Sequence, residues 1–315
     1  MPSAARTRFS YLAWAILVFT VLVVVGGGIV RATGSGDGCG TTWPVCSDRL
    51  FPSNPGLETM IEYGHRLMSG ATILGILVLF LLARRLYERG DLIRWGASVA
   101  LGLIVLEALI GASLVLFGWV DDDTSIARMI VVPLHLTNTS LLVGALTVTA
   151  WWSSGNPAPV AADKPGVSRR LGLGAGGLLV VATAGALNAL ADTLYPVDGF
   201  LSGVRDEFAA DAPWLIQVRV LHPVLAILVG LGVAYLTVSL GAGKGNATQR
   251  LGRAVSWLVL AQFAVGFVNV VLATPLETQV IHLAVANAIW IAYVLFAASL
   301  LGETAAVLEP SASRT

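Results

Sequence analysis

Eight apolar stretches constrain this chain more than any other feature. Each approaches the roughly 20 residues that a helix needs to cross a hydrocarbon core of about 30 Å. They run roughly over residues 11–30, 62–83, 93–117, 127–152, 170–192, 214–240, 251–273 and 277–301. A segment of this kind has no water in lipid to satisfy its backbone, so it must bond internally as a helix. Composition agrees: 56% of residues are hydrophobic and 12% charged, against about 25% charged in a soluble domain. The expected fold is therefore an all-α integral membrane protein with eight transmembrane helices. Tyr11 to Val30 is longer than the apolar region of a secretory signal and lacks a small-residue cleavage pattern, so it reads as a span. A net charge of zero without a basic stripe gives no reason to expect nucleic acid as a partner.

Lys and Arg fall unevenly between alternate loops, which sets orientation because short cytoplasmic loops are enriched in them. Arg6, Arg8, Arg84, Arg85, Arg89, Arg94, Lys164, Arg169, Arg170, Lys244, Arg250, Arg253 and Arg314 lie on one side. Arg31, Arg49, Arg66, Arg128, Arg205 and Arg219 lie on the other. Both termini are expected in the cytoplasm, with the loops at 31–61, 118–126, 193–213 and 274–276 facing outward across a cell membrane. Residues 153–169 are rich in proline and small residues and read as a cytoplasmic linker between halves at 1–152 and 170–315. The halves look related. Glu107 and Gln262 occupy equivalent places, each followed four residues on by a glycine, and His135 matches His282. Two pseudo-symmetric four-helix bundles are expected. Such repeats also occur in transporters, so duplication alone selects no function.

The four histidines, His65, His135, His222 and His282, all fall near the outer ends of even-numbered spans. Ionisable residues within a bilayer are functional candidates by default. One reading is interhelical hydrogen bonding. Another is zinc, which wants four ligands converging on one point or an open catalytic position. The third is axial ligation of heme iron by opposed imidazoles on neighbouring helices. An even division between the halves suits two hemes, His65 pairing with His135 and His222 with His282.

Heme propionates favour arginine, which can bind a carboxylate through two parallel hydrogen bonds. Arg31, Arg66, Arg128 and Arg219 lie at the outer level, although snorkelling at the interface explains each equally well. Glu62 precedes His65 by three residues and so shares its helix face. Aligning the halves places Arg219 opposite Glu62, so one site has an acidic neighbour and the other does not. That asymmetry suits a reactive site in the first half, where a carboxylate can relay protons. The alternative is an acid favoured by a helix N-terminus. Glu107, near the centre of its span, reads as a protonated acid hydrogen-bonded to a neighbouring helix, because burial makes its charged form costly, with a proton-relay role as the alternative. Asn138, Asn188, Asn269 and Asn287 read as interhelical hydrogen-bonders. Cys39 and Cys46 share the first outer loop, where a disulfide is expected; their spacing is not that of a thioredoxin-like catalyst.

The run GGGIVRATGSGDGCGTTWPVC, then IEYGHR, then single histidines in spans four, six and eight resemble the heme A synthases over essentially the whole chain. The resemblance implies a membrane enzyme that oxidises the C8 methyl of heme O to a formyl group, by successive hydroxylations and loss of water, giving heme A. It implies Glu62 as the catalytic acid, His65 and His135 as ligands of the substrate heme, and His222 and His282 as ligands of a resident heme B. It also implies a Cys39–Cys46 disulfide that helps the substrate arrive, and a heme O synthase as supplier of heme O. Pro223 departs from the pattern, since many members repeat the His-Arg pair there. The four histidines by themselves equally permit a diheme b-type electron-transfer protein. The electron donor cannot be read from the sequence.

Overall fold

The computed structural model describes residues 4–159, 165–197 and 199–308. Helices are α1 (Ala4–Ala32), α2 (Leu57–Leu86), α3 (Leu92–Leu116), α4 (Ile126–Ser153), α5 (Pro165–Leu194), α6 (Phe200–Glu207), α7 (Trp214–Gln217), α8 (Leu221–Gly241), α9 (Asn246–Val271) and α10 (Leu276–Leu308), with a 3₁₀ turn at Val218–Val220. Among the described residues eight helices are long and apolar enough to cross a membrane, the sixth being Trp214–Gly241, built from α7, the 3₁₀ turn and α8. The chain is a multi-pass membrane protein.

Several helices outrun their apolar stretches, because a terminal turn can carry polar residues out into water without ceasing to be helical. The expected linker at 153–169 accordingly shrinks. Helix α4 keeps Ser153 and α5 begins at Pro165, a residue whose fixed φ and missing N–H suit a first helical turn. Residues 160–164 of that linker, Lys164 among them, and Arg314 lie outside the described residues. Helix α6 sits within what reads from sequence as the outer loop 193–213. It is too short to show a span's apolar run.

Helix α1 packs on α2, α2 on α3, α3 on α4, and α4 back on α1; α5 packs on α8, α8 on α9, α9 on α10, and α10 back on α5. The first ring encloses Leu17, Ile76, Leu79, Leu142 and Leu146, and the second Val233, Val255, Tyr293 and Phe296. Outward residues such as Val18, Leu74, Leu109, Leu228, Trp257 and Phe267 are exposed, as lipid-facing side chains must be. The rings join where α1 and α4 meet α5 and α10. There Trp290 Nε1 donates to the Ser140 carbonyl at 2.6 Å, Thr137 and Thr183 hydroxyls meet at 3.0 Å, and Leu283 packs against Gly28.

The four asparagines divide. Asn138 donates to the Leu103 carbonyl on α3, and Asn269 accepts from Thr278 on α10, both between helices. Asn188 and Asn287 depart from expectation. They bond Asp192 and the Leu283 carbonyl one turn along their own helices, where a short amide reaches a residue four away on the same face.

Candidate functional site

The even-numbered spans bring the four histidines together in two groups near one end of the bundle, and each ring rests on a glycine of the preceding span. A Cβ at Gly27 of α1 would stand 3.1 Å from His65 Cε1, and one at Gly111 of α3 would stand 3.5 Å from His135 Cε1. In the second ring, a Cβ at Gly185 of α5 would lie 2.9 Å from His222 Cε1, and one at Gly266 of α9 would lie 3.2 Å from His282 Cε1. A Cβ at Gly27, Gly185 or Gly266 would press on the ring, whereas one at Gly111 would make ordinary contact with it. These glycines beside the rings are not picked out by the sequence as a set. A partial signal existed, since Gly111 and Gly266 are the ones spaced four residues from Glu107 and Gln262.

The His222 and His282 rings have centroids 6.2 Å apart and planes inclined by 75°. A metal–imidazole bond is about 2 Å, so two rings holding one ion between them stand roughly 6 Å apart. His65 and His135 lie within electrostatic reach of each other. All four Nδ1 atoms are buried without a hydrogen bond of good geometry, although His135 Nδ1 stands 3.3 Å from Glu107 Oε1 and His222 faces the Val181 carbonyl. Among the described residues no three His, Cys, Asp or Glu side chains gather around one point. That disfavours a zinc site made by the protein alone. It fits a heme, whose macrocycle brings four nitrogens and needs only two axial ligands.

Two of the histidines have a proline close by in sequence, His135 two residues after Pro133 and His222 directly before Pro223. Pro133 lies inside α4, and Thr137 folds back onto its carbonyl at 2.8 Å. Pro223 lies in the first turn of α8, just after the 3₁₀ turn, where a missing N–H costs little.

Glu62 is 3% exposed and has both oxygens engaged. Oε1 is ion-paired with Arg66, and Oε2 accepts the Cys39 backbone N–H at 2.7 Å. Arg66 also donates through Nη1 to the carbonyls of Thr42 and Val45, at 2.6 and 2.7 Å. These bonds bolt the Cys39–Cys46 disulfide loop onto α2. Gly38 completes the joint, for a Cβ there would stand 2.5 Å from the Glu58 carbonyl carbon. The loop between α1 and α2 is therefore anchored at Glu62, one turn before His65.

Three more arginines at this end of the bundle are committed as well. Arg31 donates to the Ala189 carbonyl, Thr193 and Gln279 across the junction of the rings. Arg128 donates to the Asp121 and Asp123 carbonyls, with its Nε buried and unpartnered. Arg219 donates to the Ala191 and Tyr195 carbonyls and pairs with Asp192 at 3.3 Å. The loops beside these arginines carry partly buried acids. Burial pushes the Asp121 carboxyl above the usual range, with nearby Asp37 adding to it. Burial likewise raises Glu207 of α6, while Arg219 pulls it back down.

A family profile described as cytochrome oxidase assembly protein, COX15-CtaA, matches residues 10–294. A protein of Thermus thermophilus named protoheme IX farnesyltransferase is 41% identical over 312 residues, covering 98% of this chain but 51% of its own length. Proteins named heme A synthase in Exiguobacterium and Halalkalibacterium halodurans are 35% and 34% identical over 120 and 143 residues. Those alignments cover 38% and 45% of this chain, and 39% and 45% of the relatives. The chain spans about half the length of the Thermus relative that it matches almost throughout.

Proposed function

Because the chain belongs to the COX15-CtaA family of cytochrome oxidase assembly proteins, we propose that it is a heme A synthase, oxidising the C8 methyl of heme O to a formyl group. The observation that carries this reading is the asymmetry between two otherwise matched histidine pairs. A buried carboxylate, Glu62, stands one turn before His65, whereas Arg219 stands one turn before His222. We divide the chain into a substrate half, 1–152, and a cofactor half, 170–315. His65 and His135 hold heme O in the first, and His222 and His282 hold heme B in the second. Heme B, when bound, supplies a redox centre through which electrons pass.

The protein's own groups supply position and proton handling. Glycines on the odd-numbered spans fix each imidazole so that it cannot retreat from the site. Arg66 and the Cys39 N–H hold Glu62 still, beside the ring that binds substrate, where it accepts protons released as the methyl is oxidised. Arg128 is the first choice for a propionate, since its Nε alone among the four arginines' nitrogens is buried without any polar neighbour named above. Arg31, Arg66 and Arg219 would meet propionates by exchanging a carbonyl partner. A carboxylate one turn before the ligand in the first half, with Arg219 in its place in the second, favours this enzyme over a diheme electron carrier, which has no use for that difference.

We place the histidine ends outside the cell membrane and both termini in the cytoplasm. A heme O synthase is the expected supplier of substrate. The Thermus relative is named for farnesyl transfer to protoheme and is twice as long as the matched region; we assign that activity to its unmatched half. Expression in a host that makes heme O but no heme A tests the reading. Mass analysis of extracted pigment should show heme A. Heme O appearing in a host that lacks it would instead favour farnesyl transfer.

Two further outcomes are expected. Gly185→Ala places a methyl 2.9 Å from His222 Cε1, so heme B per chain should fall roughly tenfold, the lower end of what supporting residues of metal ligands contribute. Pigment extraction measures it; full retention would show that the ring has room. Replacing Cys39 and Cys46 together by serine removes a cross-link worth on the order of 2 kcal/mol of loop order. Heme A formation should drop several-fold while heme B content stays unchanged, as read from the same extracts.

A further inference from the structure

The two histidine pairs differ in a second respect, and it concerns the far side of the ligand rings. Helix α3 carries Glu107 where α9 carries Gln262, at equivalent positions in the two rings of helices. Glu107 Oε1 stands 3.3 Å from His135 Nδ1, the only histidine–carboxylate contact among the described residues. Two side chains of α4 hold the carboxylate in place: Asn138 donates to Oε2 at 2.5 Å, and Thr139 donates to Oε1. Gln262 meets His282 differently. Its Nε2 lies 3.0 Å from His282 Nε2, and its Oε1 is buried with no partner.

We propose that Glu107 is a positioning residue for His135, taking the Nδ1 proton as its hydrogen-bond donor and turning Nε2 toward the iron of the first site. The inference rests on the proposed function, in which His135 is an axial ligand. A ligating imidazole whose second nitrogen donates to a carboxylate is a stronger electron donor to its metal, and its ring orientation and tautomer are fixed. The first site therefore favours ferric iron more than the second does, because no carboxylate backs either ring of the second pair. The amide at Gln262 carries no charge and its contact is to the other ring nitrogen, so it cannot play the same part. A pure packing role for Glu107 would leave the iron's electronic state alone.

Redox titration of the protein carrying both hemes, followed optically, tests this. The wild type should resolve two potentials, the lower one vanishing in His135→Ala. Glu107→Gln should raise that lower potential alone, shifting the ferric-to-ferrous ratio at a fixed potential by about tenfold, which is about 59 mV for a one-electron couple. Two hemes that titrate together in the wild type would overturn the proposal even if the variant fails to fold. So would a Glu107→Gln protein that keeps both hemes with unchanged potentials, an outcome that leaves the proposed function standing. A first half that binds no heme at all, with pigment content unaltered by His65→Ala, would instead remove the proposed function and this inference with it.

Discussion

Glu62→Gln is expected to keep both hemes and to lose conversion of heme O by roughly 100- to 10,000-fold, the contribution of a positioned acid–base group. The substitution preserves shape. A glutamine keeps one acceptor oxygen, enough for the Cys39 N–H or for Arg66, and the Arg66 bonds to the Thr42 and Val45 carbonyls hold the disulfide loop on α2. What it loses is the negative charge, and with it the capacity to take up a proton. Arg66 would remain buried without its ion partner, and breaking a buried pair costs about 3–5 kcal/mol when nothing replaces the lost acceptor. The carbonyls of Thr42 and Val45 still receive Arg66 Nη1, so the loss should be smaller. Two measurements separate chemistry from folding: pigment per purified chain, and heme A formed per bound heme O. Retained pigment with no heme A supports the role. Undiminished heme A formation would leave Glu62 as an anchor of the loop and nothing more.

His222→Ala is expected to abolish the tightly held heme, and His282→Ala to do the same, whereas His65→Ala should mainly lose substrate. One axial imidazole cannot replace two when the pocket is built around a pair whose centroids stand 6.2 Å apart. Removing the His222 ring also opens a gap above Gly185, whose nearest neighbour is that ring. The optical spectrum of the purified variant reads the result. An intact heme spectrum in His222→Ala would mean that the halves have been assigned the wrong way round.

The membrane made the spans readable. Lipid demands about 20 apolar residues in one helix, a rule local enough to see in one stretch of sequence, and the eight spans follow from it. The histidines were readable for a related reason, since a polar ring at that depth stands out against Leu and Val. What lay beyond the sequence depends on which residues meet across the bundle. Arg66 reads as a propionate partner from its depth alone, yet its guanidinium closes a loop some twenty residues upstream onto Glu62. Asp192, the partner of Arg219, offers no pattern to notice. Glu107 was visible as a buried acid, but its contact with His135 needed the packing of α3 on α4. The glycine seats are hidden for a simpler reason: glycine is abundant in membrane helices, so the four beside the histidines do not stand out until the rings are placed.

Each half is proposed to hold one heme between its two histidines, and every role assigned above depends on that. Pigment extraction and mass analysis of the purified protein, from cells that supply heme O, is the decisive test. One heme B together with one heme O or heme A per chain is expected. A single heme per chain whatever the supply of heme O, or none at all, would contradict it.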